Sequence, residues 1–253
     1  MPLGSPQWMY ASGEDFTLDQ SLKFEGGRTT YLSKTPASSG NRKTSTFSTW
    51  VKISPAAKSG GQDVLFEAYE DNANRWSIFI GDNSANYIAV FGETGDSTDV
   101  SLHTDTASGQ AFRDYSAWYH IMFVLDTTQS TASNRAKIFV NGVQPTYAGT
   151  TYPSQNSDLI LNKNVSHHLG AGSWSGAIGD YYYSGNMAET YFIDGQALTP
   201  ADFGETGDYG EWKPKEVSGL TYGTNGFYLP FQQDYTVEGC LLYTSPSPRD
   251  KRQ

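Results

Sequence analysis

The chain has 253 residues, long enough to bury a large single core, and is rich in Gly (26), Tyr (17), Phe (13) and Trp (6) without the Ala/Leu/Glu/Lys bias of long helices. Its formal net charge of −10 excludes phosphate-backbone binding, which needs clustered Lys and Arg, and Arg42-Lys43 is too short a basic run to change that; nucleic acid is not an expected partner. No apolar run approaches the roughly 20 residues of a spanning helix, and the start MPLGSPQWMY lacks the regions of a secretory signal, so no membrane insertion is expected.

Residues 1–15 read as an irregular segment. From Phe16 onward, short alternating runs separated by turn residues recur about every 8–12 residues, the spacing of an all-β sandwich. SLKFEGG and TTYLSKT open the series, and the loop PASSGNRKT leads into STFSTWVKIS. There Phe47, Thr49, Val51 and Ile53 point one way and Ser48, Trp50 and Lys52 the other. DVLFEAY, NRWSIFIGD and NYIAVFGE follow, the last two joined by a polar loop at 82–85. SAWYHIMFVLD is apolar on both faces, as in a central strand covered on both sides. RAKIFVNGVQP carries Asn141-Gly142, the type I′ turn signal of a hairpin.

DLILN, HHLGAG and NMAETYFIDG read as further strands, and NGFYLPFQQDY as the last. One helical turn stands out in LTPADFGE, with Thr199 as N-cap, Pro200 at the first position and Asp202 at the third. Residues 240–253, CLLYTSPSPRDKRQ, differ from everything before them. They hold the only cysteine and contribute +2, leaving −12 on residues 1–239. This stretch resembles a sequencing adapter translated in frame, so it is expected to be a non-native tail. The domain is expected to span 16–239, and Cys240 is not read as a site.

Several blocks carry a family resemblance: residues 21–54, AWYHIMFVLD, KIFVNGVQ and GNMAETYFIDGQALTPADFGE. Together they resemble the laminin-G-like, concanavalin A-like jelly roll, in the variety found in bacteriophage tail-fibre and virion proteins. The resemblance covers about residues 20–235. It implies an all-β fold of two antiparallel sheets packed face to face, with the SLKF and GFYLPF strands as neighbours. It also implies a virion or extracellular setting, a glycan or host-surface receptor as partner, and other virion or fibre subunits as further partners.

No catalytic constellation emerges. Retaining β-glucanases of this fold place carboxylates at alternate positions on one strand; Glu67, Glu70 and Asp71 do not alternate, and Glu189 and Asp194 are five apart, on opposite faces of a regular strand. Glu205 and Asp208 sit in a Gly-rich loop. His167 and His168, as neighbours on a strand, face opposite ways and cannot chelate one metal. His103 is a lone loop residue, and His120 reads as a packed, hydrogen-bonded core histidine. No cofactor is assigned. Calcium is the cation the resemblance allows, at one rim of the sandwich; Asp82, Asp96, Asp99, Asp105 and Asp180 read as loop carboxylates, none of them assigned as a ligand, and otherwise as turn-formers.

Sugar recognition needs exposed aromatic faces with polar neighbours. WSGAIGDYYYSGN supplies both, so Trp174, Asp180, Tyr181, Tyr182, Tyr183 and Asn186 are the candidate ligand-binding residues. Three consecutive tyrosines cannot share one strand face, so some of them must pack inward. A second candidate group is Tyr209, Trp212 and Tyr222. The expected function is non-catalytic recognition of a host-surface carbohydrate. A structural spacer and a glycoside hydrolase are the alternatives.

Overall fold

The computed structural model describes residues 16–26, 30–54, 61–81, 86–105, 112–173 and 181–231. Two antiparallel sheets form the molecule. The first contains β1 (Leu22–Phe24), β3 (Thr44–Ile53), β8 (Tyr119–Asp126), β9 (Ala136–Val140), β12 (Gly185–Asp194) and β15 (Phe227–Leu229). Its order is β1-β12-β3-β8-β9, with β15 also on β12. The second runs in the order β10-β7-β6-β5-β4-β11-β2. It is built from β2 (Leu32–Lys34), β4 (Gln62–Asp71), β5 (Asn74–Gly81), β6 (Tyr87–Thr94), β7 (Ser97–Thr104), β10 (Tyr147–Thr151) and β11 (Ser166–Leu169).

Alternate positions of facing strands meet between the sheets. Phe47 stacks on Phe66 at 5.0 Å, Phe66 lies 5.5 Å from Phe192, and the fully buried Trp76 packs on Phe123 at 5.1 Å. Aromatic pairs at this spacing add to plain area burial. The alternation expected in β3 holds: Phe47, Val51 and Ile53 enter this core, while Trp50 and Ser48 face the opposite side.

That opposite side is covered as well. Residues 197–222 fold back over the six-stranded sheet, and Met122, Val124, Tyr191, Ile193 and Phe203 form a second buried cluster there. This is why β8 is apolar on both faces, with Ile121, Phe123 and Leu125 on the sandwich side. The covering segment contains the one-turn element at Pro200–Asp202, a 3-10 turn, in which the Thr199 amide and hydroxyl donate to Asp202 Oδ2 at 2.7 and 2.8 Å. It also contains a small hairpin, β13 (Gly204–Thr206) and β14 (Trp212–Pro214). Trp212 seats this flap. Its ring fills a slot left by Gly142 and Gly204, stacks on His120, and donates from Nε1 to His120 Nδ1 at 3.2 Å.

His120 is therefore the core histidine expected. Trp212 is a pure donor, so Nδ1 accepts and the proton sits on Nε2, facing Ser48 Oγ at 2.8 Å. Burial holds its pKa down to about 3. His167 is likewise buried and neutral. Its Nε2 accepts the Asn162 amide at 3.2 Å and Nδ1 donates to the Val165 carbonyl at 2.9 Å, with burial lowering its pKa to about 4.

Three expectations are corrected. Asn141 and Gly142 have the paired positive φ of a type I′ turn, 48° and 78°, but the turn closes only a Val140–Val143 bridge. Pro145 then has no amide for a second strand, and β10 joins β7 in the other sheet. DLILN is a buried loop. Leu159, Ile160 and Leu161 plug the end of the sandwich, and Leu159 bonds Arg42 through both its amide and its carbonyl. Finally, β1 and β15 are not side by side. They lie end to end on one edge of β12, β1 on Gly185–Met187 and β15 on Thr190–Phe192, because β3 occupies the other edge.

Candidate functional site

The outer face of the seven-stranded sheet is open and holds a larger cleft, about 560 Å³, than the one beside the covering segment, about 340 Å³. The strand registers arrange its outward side chains in rows. One row runs Val64 (β4), Phe79 (β5), Ala89 (β6), His103 (β7), and the next runs Glu67, Ser77, Phe91, Ser101, so His103 is a strand residue and not the lone loop residue expected. A third pairs Arg75 with Glu93. Strands about 4.8 Å apart, with rows about 6.6 Å apart along them, make a graded surface with one apolar and one polar lane.

This face holds a groove of about 560 Å³, within the range of small-molecule sites. Val64, Phe79 and Ala89 are its buried floor, and the half-buried rings of Tyr87, Phe91 and Tyr181 pack against them. Gly81 is needed here because Tyr87 lies across it; a Cβ would fall 2.2 Å from the ring. The Arg75 Nε donates to Glu93 Oε1 at 2.6 Å, and its guanidinium lies 5.3 Å over the Phe91 ring. That pairing fixes Phe91 as a wall.

Glu67 is the carboxylate on the groove wall. Its Oε1 accepts the Ser173 amide at 2.9 Å and its Oε2 meets His168 Nδ1 at 3.0 Å, while His168 Nε2 meets Ser166 Oγ at 2.9 Å. His167 and His168 do face opposite ways, inward onto Phe66 and outward onto Glu67. Among the described residues no three His, Cys, Asp or Glu converge on one point. Asp96 sits in a turn at positive φ and Asp99 accepts the Thr94 hydroxyl at 2.6 Å; Asp82 and Asp180 lie outside the described residues.

The candidate sugar-binding residues are spread apart. Tyr181 lines the groove. Tyr182 is buried, 6.4 Å from Tyr31. Tyr183 is fully buried, its hydroxyl donating to the Lys52 or Asn186 carbonyl and burial driving its pKa up. Asn186 donates to Ser21 Oγ on the six-stranded sheet. Trp174 and Asp180 lie outside the described residues. In the second group, Tyr209 is 91% exposed at a hairpin tip, whereas Trp212 and Tyr222 pack on the flap's own contacts. Phe79 on β5 and Tyr87 and Phe91 on β6 escape sequence reading because only the strand pairing brings them to Tyr181 and to Val64 on β4. Their signal is apolar residues on the face that should be polar.

A two-sheet antiparallel sandwich with one sheet face open around a groove is a lectin-type jelly roll. Residues 26–202 match Laminin_G_3, described as the concanavalin A-like lectin/glucanases superfamily, and the chain belongs to that family. No curated protein matches the sequence. Among solved structures it is similar to full-length tailspike protein 2 from Escherichia coli O157:H7 bacteriophage CAB120, at 13% identity and a TM-score of 0.51. That match covers 72% of this chain and 23% of the tailspike, so the chain spans under a quarter of it. A heptameric SAP-like pentraxin from Limulus polyphemus shows 16% identity and a TM-score of 0.49 over 70% of this chain and 76% of its own.

Proposed function

We propose that this chain is a non-catalytic carbohydrate-recognition module of a phage virion or tail-fibre protein, taking a host-surface glycan in the groove of the seven-stranded sheet. The observation that carries the reading is the groove itself. Aromatic rings at Tyr87, Phe91 and Tyr181 stand beside hydroxyl and carboxylate groups of Ser77, Ser101 and Glu67, the pairing that sugar faces and sugar hydroxyls require. Glycosidases work with two carboxyl groups flanking the bond, and Glu67 is the single carboxylate lining this groove among the described residues. The virion setting is supported by the resemblance of the GNMAETYFIDGQALTPADFGE block to phage fibre domains.

The test is a glycan array probed with the full chain, in calcium and again in chelator, alongside Phe91→Ala, Tyr181→Ala and Trp174→Ala. Specific hits lost in the first two variants support the groove. Loss in Trp174→Ala would extend the site to the stretch before Tyr181, and chelator sensitivity would add a calcium ion. A blank array in both conditions would overturn recognition in favour of a structural spacer.

A further inference from the structure

We infer that the groove selects a neutral glycan whose sugars carry a methyl group, as an N-acetyl or a 6-deoxy substituent, over one built from plain hexoses. The inference rests on the proposed glycan-binding function and concerns the kind of sugar.

A plain hexose carries hydroxyls around its whole rim. Seated across the two lanes, it would turn some of them onto Val64, Phe79 and Ala89, none of whose side chains can bond them, with His103 only at the far end of the row. Desolvating a hydroxyl without a partner is costly, so the apolar lane calls for an apolar corner on the ligand. A methyl group supplies that corner, with the Tyr87 and Phe91 rings beside it. The opposite edge of the same sugar meets the polar lane. Ser77 and Ser101 flank Phe91 there, and Glu67 accepts from hydroxyl or amide donors.

Glu67 is held for that task. Ser166, His168 and Glu67 follow one another in the hydrogen-bond order of a nucleophile relay, but Ser166 does not line the groove, whereas Glu67 does. The chain of bonds therefore aims the carboxylate and leaves the serine out of the groove. Charge excludes acidic sugars. Arg75 in the groove is already bound to Glu93, so an added carboxylate would meet Glu67 on a protein of net charge −10.

Isothermal titration of the full chain with tetramers of N-acetylglucosamine, rhamnose and glucose, and with sialyllactose, tests this. Burying one methyl is worth about fourfold in affinity. At least one methyl-bearing tetramer is expected to bind the wild-type chain fourfold or more tighter than the glucose tetramer, and which one does so identifies the substituent. Phe79→Ser, checked for an unchanged circular dichroism spectrum, should erase that margin. Equal affinity for glucose and both methyl-bearing tetramers, or tighter binding of sialyllactose, would overturn the inference while leaving glycan recognition standing. Binding of none of the four would overturn both.

Discussion

Lowering the pH from 7 to 4.5 is expected to destabilise the sandwich through two histidines that fold neutral. In the unfolded chain both titrate near 6.5, whereas burial holds His120 down to about 3 and His167 to about 4. Between those values the unfolded state binds the proton and the folded state does not. The neutral-histidine stability is therefore fully present above pH 6.5 and is lost as pH falls toward the folded pKa. At 1.36 kcal/mol per pH unit, each histidine gives up about 2.5 kcal/mol by pH 4.5. For a domain of this size that corresponds to a fall in Tm of roughly 5–10 °C per histidine. The local geometry gives the same sign: a proton on His120 Nδ1 would turn it against the Trp212 indole N–H, and a proton on His167 Nε2 against the Asn162 amide. The assay is thermal unfolding of wild type and His120→Gln from pH 7 to 4.5. The variant should start less stable and fall more gently. Parallel slopes would refute the assignment of this pH dependence to His120.

Gly142→Val forces a β-branched residue to a φ of 78° and drives its Cβ to 2.6 Å from the Trp212 ring, so it should cost more than about 1 kcal/mol and shift tryptophan emission to the red as the flap lifts. An unchanged emission maximum with normal stability would show that the flap is not seated through Trp212. Asn162→Ala removes donors to Asp194 Oδ1 at 2.7 Å and the Asn41 carbonyl at 3.0 Å, and the acceptor of Asn225 Nδ2 at 2.9 Å. It also leaves alanine at a φ of 64°. A loss of about 3 kcal/mol in urea unfolding is expected. A loss under about 1 kcal/mol would show that this hub does not tie the loops together.

How much of this was legible in the sequence depends on what each residue had to announce. β3, β5 and β8 declared themselves because alternation, or apolar runs on both faces, reports burial directly. β7 and β10 were not anticipated: Thr, Ser and Gly dominate them, and only Val100 and Leu102 reach the core from β7. DLILN misled because an apolar run reports burial without reporting hydrogen-bond partners, and its partners are loops. The site was less legible still. The linear cluster Tyr181–Tyr183 disperses into groove, packing and core, while the groove assembles from Val64, Phe79, Ala89 and Phe91 on three strands. Linear proximity gathers residues along a strand, but a groove across a sheet gathers them between strands, where sequence distance carries no information.

The end-to-end placement of β1 and β15 has a mechanical consequence. Leu22 pairs with Met187 and Leu229 with Thr190, so the chain comes onto β12 and leaves it at points three residues apart, about 10 Å, beside the bulge at Glu189. A load carried through these two strands would peel them outward from that spot, a few hydrogen bonds at a time, and would draw Phe24 out of the core and Phe227 from its 6.1 Å contact with Phe66. Both attachment points belong to the sheet opposite the groove. A body tethered there hangs from one point with its open face turned away from the tether.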